Sequence, residues 1–119
     1  MLSIPGDDSE LMSENYISLA KTDDGFLKDL NDWNEQVAQE IAAANDIALA
    51  DEHWEIIRFI RNYYLLYKHL PNARVFVKAV RHELGEEKGN SRYLHRLFPE
   101  GPVKFSCKIA GLSKPPGCL

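Results

Sequence analysis

Trp54-Glu-Ile-Ile-Arg-Phe-Ile-Arg-Asn-Tyr-Tyr-Leu-Leu-Tyr67 is the densest apolar stretch of the chain. Trp54, Ile56, Ile57, Phe59, Ile60, Tyr63, Tyr64, Leu65 and Leu66 leave almost no polar face when wound at 3.6 residues per turn. A helix of that kind is normally the buried centre of a domain. Asp51 is placed to cap it, Glu52 and Glu55 suit its first turn, and Pro71 ends it.

Upstream, Trp33, Val37, Ile41 and Ala44 recur at helical spacing behind Asn31 or Asp32 as N-cap, and the helix stops near Asn45-Asp46. Before it, Tyr16-Ile-Ser-Leu19 and Phe26-Leu27 flank the turn residues Lys21-Thr-Asp-Asp-Gly25, a pattern that predicts a small β-hairpin packed on the helices. Downstream, Val75, Phe76, Ala79, Val80 and Leu84 define an amphipathic helix over 73–84, closed by Gly85. Asn90 or Ser91 opens a short helix with Tyr93, Leu94, Leu97 and Phe98 inward and Arg92, His95 and Arg96 outward. Pro102 suits the first turn of a last helix running to about Ala110, with Gly111 as its left-handed stop. The class is mainly α: an orthogonal helical bundle with a small N-terminal β-hairpin and a flexible C-terminal arm. Residues 1–13 read as a disordered leader, 14–110 as the helical domain and 111–119 as a mobile arm.

The 119 residues suffice for one domain, and an apolar share of 45% fills a core without disulfides. No run approaches the roughly 20 apolar residues of a membrane span. The acidic start lacks the marks of a secretion signal, so the expected location is the cytoplasm. The two cysteines have no metal-ligand spacing with His53, His69, His82 or His95, which argues against a metal site. Charge is uneven. Residues 1–60 carry fourteen acids against three bases, whereas 88–119 carry Glu100 against Lys88, Arg92, Arg96, Lys104, Lys108 and Lys114. The cationic end suits an acidic partner surface or an anionic ligand.

Both cysteines, Cys107 and Cys118, lie in that end. Between them, Gly111, Pro115, Pro116 and Gly117 oppose regular structure, so the segment reads as an arm with a thiol at its tip and another at its root. In a reducing compartment such a pair is transient or catalytic in use. Cys118 stands beside the Leu119 carboxylate, which disfavours a second negative charge, so its reactivity depends on a partner's active site. Cys107 has Lys108 beside it and Lys104 one turn away, charges that favour a thiolate and a resolving role. Fully extended, the eleven intervening peptide units reach on the order of 35–40 Å. A disulfide instead needs the two Cα atoms within about 7 Å. Such an arm must therefore fold back as well as extend, with Gly111 and Gly117 as hinges.

The stretch Glu86-Glu-Lys-Gly-Asn-Ser-Arg-Tyr-Leu-His-Arg-Leu-Phe-Pro99, with Gly101-Pro102, Lys108-Ile-Ala-Gly-Leu112, Lys114-Pro115 and Cys118-Leu119, resembles the DsrC/TusE family of small sulfur carriers. Asp24-Gly-Phe-Leu27, Asp32-Trp-Asn34 and the run from Glu52 to Arg61 extend the likeness over nearly everything after the leader. The resemblance implies that Cys118 carries sulfur and Cys107 is the second, upstream cysteine, which the tRNA-thiolation branch usually lacks. It therefore points first to a co-substrate of dissimilatory sulfite reductase in sulfur metabolism. Sulfur would be held as a persulfide on Cys118 or a trisulfide between Cys107 and Cys118. A membrane-bound thiol-disulfide reductase complex would reduce it, or DsrE-type or TusA-type donors would supply it. Sirohaem and an iron–sulfur cluster would belong to the partner, with no cofactor on this chain. Lys104, Lys108, Arg92 and Arg96 are candidates for docking or thiolate stabilisation. The alternatives are a TusE-like relay for tRNA thiolation and a helix-turn-helix DNA-binding regulator built from residues 73–84 and 90–97. The acidic balance and the few polar groups on 90–98 oppose the latter. An autonomous disulfide oxidoreductase lacks its close Cys-x-x-Cys pair.

Overall fold

Three asparagines start three of the helices. In the computed structural model, which describes residues 16–116, α1 spans Glu35–Ala44, α2 Asp51–Tyr67, α3 Ala73–Leu84, α4 Ser91–Leu97 and α5 Pro102–Ile109. The Oδ1 atoms of Asn34, Asn72 and Asn90 accept from the backbone N–H groups of Val37, Val75 and Tyr93 at 2.8, 2.9 and 2.8 Å. Each bond satisfies a donor that the first helical turn leaves orphaned. The cap of α1 therefore lies two or three residues beyond the expected one, because Leu30–Asp32 forms a separate 3-10 turn capped by Asp29. At α2 the expected cap, Asp51, is instead the first helical residue, and the N-cap Ala50 has no side chain to accept from the first turn. His53 Nδ1 accepts from the Ala50 N–H at 3.0 Å, and Nε2 lies 2.9 Å from the Leu97 carbonyl. With Nδ1 occupied as an acceptor, the proton sits on Nε2 and the ring ties α2 to the end of α4.

The expected centre of the domain is displaced. Only the first half of α2 is fully inside, through His53, Ile56, Ile57 and Ile60, while Leu66 is 72% and Tyr67 53% exposed. The helix ends at Lys68 in a left-handed conformation, three residues before Pro71. The element that all the others share is α5, which packs against α1, α2, α3 and α4. It buries Val103, Ser106, Cys107 and Ile109 against the core formed by Phe26, Val37, Ile41, Phe76, Leu94 and Phe98. The last helix is thus the axis of the bundle.

The hairpin is a correction. Among the described residues there is no strand; the segment keeps a single antiparallel bridge between Lys21 and Leu27. Residues 16–18 are helical. Two physical reasons are visible. The Lys21 ammonium donates to the carbonyls of Tyr16, Ile17 and Leu19 at 2.9, 3.0 and 3.1 Å, consuming acceptors that a partner strand would have used. Phe26 and Leu27, adjacent in sequence, are both buried, whereas a strand sends successive side chains to opposite faces. The leader, residues 1–13, lies outside the described residues.

Candidate functional site

The cationic residues picked out in the sequence divide between two helices. Arg92 and Arg96 are exposed on α4, lining an open cleft of about 470 Å³ with Glu87, Lys88, Asn90 and Tyr93. The Arg96 guanidinium lies 5.2 Å from the Tyr93 ring centroid. Lys88 is paired with Glu55 at 2.6 Å, and that hydrogen bond raises its pKa. Lys104 and Lys108 are on α5. The Lys108 ammonium donates to Asn45 Oδ1 at 3.2 Å and stands 5.8 Å from the Phe26 ring and 5.6 Å from that of Phe105. Burial lowers its pKa, and the charge of Lys104 adds to the effect. It also fills the space beside Gly25, where a Cβ would meet Lys108 Cε at 2.8 Å.

Cys107 is fully buried on α5. Cys118 lies outside the described residues. What the structure does define is the root of the arm between them. At the end of α5 the Leu112 N–H donates to the Cys107 carbonyl at 3.0 Å and the Gly111 N–H to that of Lys108 at 3.2 Å, a Schellman turn. Gly111 has φ +76°, the left-handed conformation this motif requires. The Ala110 N–H donates to the Ser106 carbonyl at 2.9 Å.

The next two carbonyls are taken by side chains from far away in sequence. Trp33 Nε1 donates to the Ile109 carbonyl and Arg61 Nη1 to that of Ala110, each at 2.7 Å. The guanidinium stacks on the Trp33 ring at 3.9 Å, and its burial lowers its pKa. A cation here also faces the negative end of the α5 dipole. Every carbonyl from Ser106 to Ala110 is thereby occupied. Gly111 is boxed in as well: a Cβ would lie 2.5 Å from Trp33 Cδ1.

Beyond the root, Leu112 is 3% exposed, Pro115 is buried, and Lys114 is paired with Asp24 at 3.1 Å. The Asp24 pKa falls to about 2, first through the hydrogen bond from Thr22 and then through that from Lys114. Pro116 lines a cleft with Tyr63, His69, Leu70, Pro71, Asn72 and Val75. Among the described residues no three His, Cys, Asp or Glu side chains are grouped to hold a metal. No helix among them is long and apolar enough to cross a membrane.

The family model described as "DsrC like protein" matches residues 14–119, a span that includes the clamped root and both cysteines. The chain belongs to the DsrC-like family. Curated relatives include Sulfurtransferase TusE of Salmonella choleraesuis, 53% identical over 96 residues, covering 81% of this chain and 88% of that one. Sulfurtransferase TusE of Sodalis glossinidius is 50% identical over 108 residues, covering 91% and 100%. Among solved structures, Allochromatium vinosum DsrC superposes with a TM-score of 0.78 at 50% identity, covering 85% of this chain and 90% of that one. The oxidized gamma subunit of the dissimilatory sulfite reductase from Archaeoglobus fulgidus gives 0.72 at 42%, covering 85% and 92%.

Two residues of this DsrC-like root were passed over in the sequence. Arg61 falls on the inward stripe of α2 with the buried Ile57 and Ile60 and the half-buried Tyr64, and a charge at such a position is itself a signal, since charges drawn out of water need partners. Trp33 reads as plain core, yet an indole N–H inside a protein seeks an acceptor.

Proposed function

We propose that this DsrC-family chain is a sulfur carrier, with Cys118 as the carrying thiol, working in a relay of the kind performed by proteins named TusE. The match of the family model through residue 119 carries the reading, and the TusE relatives at 50–53% identity favour the relay over the reductase role that the sequence pointed to first. In the transfer step the Cys118 thiolate attacks the outer sulfur of a donor persulfide. One S–S bond forms and one breaks, the donor leaves as a thiolate, and no net oxidation occurs. Exposed Arg92 and Arg96 offer docking charge to an acidic partner, while Lys108 is committed to Asn45.

Cys107 favours a second reading, co-substrate of a dissimilatory sulfite reductase, because the relay branch usually lacks it. The likeness to solved DsrC structures agrees with that reading. Sirohaem and the iron–sulfur cluster would then be the partner's, and a trisulfide between Cys107 and Cys118 would be the product. Mass spectrometry after incubation with a persulfide donor should find one added sulfur on Cys118 and none in Cys118→Ser. Normal loading of that variant would sink the carrier reading. Restored tRNA thiolation in cells lacking their own TusE would select the relay. Capture of a sirohaem complex, lost on alkylating Cys118, would select the reductase.

A further inference from the structure

The arm was expected to hinge at Gly111. The structure instead holds Gly111 between the Trp33 ring and the end of α5, and it buries Leu112. We propose that Arg61 is a positioning residue: together with Trp33 it locks Gly111 and Leu112 to the body, so that Gly111 is no hinge and any displacement of the arm has to begin beyond Leu112, with release of Lys114 from Asp24. This rests on Cys107 and Cys118 forming the working thiol pair.

The geometry makes the lock specific. Arg61 comes from α2 and Trp33 from the loop before α1, 49 and 76 residues from the carbonyls they hold. The guanidinium does two jobs in one place. It donates to the Ala110 carbonyl and covers the indole that donates to Ile109. Lysine keeps the charge but lacks the planar fork needed for both. With the root held, the loop closed by a Cys107–Cys118 bond is in effect the six peptide units from Leu112 rather than eleven. Loop closure scales as the three-halves power of length, so the lock raises the effective concentration of one thiol at the other by about 2.5-fold, before any gain in direction. The same lock shortens the outward reach to about 20 Å. A partner must therefore bring its reacting group close to the α5 end of the body.

The test uses the full chain equilibrated with mixtures of reduced and oxidised glutathione. Cys107 and Cys118 together give two electrons and two protons to glutathione disulfide, leaving one intramolecular S–S bond and two glutathione thiols. Alkylation and mass spectrometry count the product. Arg61→Gln and Arg61→Lys should each lower the equilibrium constant for that bond at least twofold, and Asn90→Ala, a cap on α4 in the cleft of Arg92 and Arg96, should not. Hydrogen exchange at the Leu112 amide should quicken at least tenfold in both Arg61 variants and stay at the wild-type rate in Asn90→Ala. An unchanged Leu112 amide in Arg61→Lys, or an equal loss in Asn90→Ala, overturns the lock. If Arg61→Gln does not fold, Arg61→Lys and Trp33→Phe, which keeps the stack and loses the Nε1 donor, carry the test. A wild-type chain that forms no such disulfide at any glutathione ratio refutes the working pair instead, and the Leu112 exchange then decides the lock by itself.

Discussion

Gly111 and Gly85 both have positive φ, at +76° and +99°, yet their surroundings differ: a Cβ at Gly85 meets nothing within 4 Å, while one at Gly111 strikes Trp33. Gly85, with ψ 168°, lies in a region that essentially only glycine enters, which costs an ordinary residue roughly 1–3 kcal/mol. Gly85→Ala should therefore lose about 1–3 kcal/mol in urea unfolding, from backbone strain alone. Gly111→Ala should lose about 2–4 kcal/mol, because overpacking against Trp33 adds to a left-handed strain of roughly 1–2 kcal/mol. A Gly111→Ala loss no larger than that strain would show that Trp33 yields freely. Asp24 offers a second residue-scale test. Its folded pKa of about 2 lies below the ordinary carboxylate value, so its contribution to stability is present above about pH 4 and lost as the pH falls through 2. Thr22→Val and Lys114→Ala should each raise the Asp24 pKa in a carboxyl NMR titration, the first by removing the largest single cause and the second by removing both a hydrogen bond and a nearby charge.

At the scale of elements, each asparagine cap closes one turn, and Asn90 also ties down the turn before it by donating from Nδ2 to the carbonyls of Glu86 and Glu87. Asn34→Ala and Asn72→Ala should each cost about 1 kcal/mol in thermal or urea melts, and Asn90→Ala should cost more than either. Helix α5 behaves differently, since it touches all four of its neighbours and cannot fray alone. Its Cys107 is fully buried, so reaction of that thiol, with iodoacetamide as with Cys118, has to wait for a local opening around α5. Iodoacetamide should modify Cys107 at least a hundredfold more slowly in buffer than in urea. Fast native labelling would show that α5 opens by itself. The loop of 21–27 belongs to this scale too: Lys21 gathers three carbonyls, and of a two-stranded ribbon only the bridge between Lys21 and Leu27 is formed.

Across the whole molecule, the apolar side chains of α2 are sorted by where α5 ends. Ile57, within the bundle, is fully buried, and Leu66, two and a half turns on, is 72% exposed. Ile57→Ala should cost about 2–5 kcal/mol, whereas Leu66→Gln should stay within about 0.5 kcal/mol. A large loss from the latter in the isolated chain would mean that the protruding half of α2 is covered in solution.

Much was legible without coordinates where the cause was local. The spans of α3, α4 and α5 follow from apolar spacing, from Asn90 and Pro102 at their starts and from Gly85 and Gly111 at their ends, all interactions within a few residues. The thiol-bearing arm and its family likeness were equally plain in the order of residues. Which helix forms the axis was not, because an apolar run records affinity for a core and not how much core surrounds it. Nor could the order of residues show that Arg61 and Trp33 meet at the carbonyls of Ile109 and Ala110. That contact is made between segments distant in the chain, and only packing of α2 and the α1 approach around α5 brings them together.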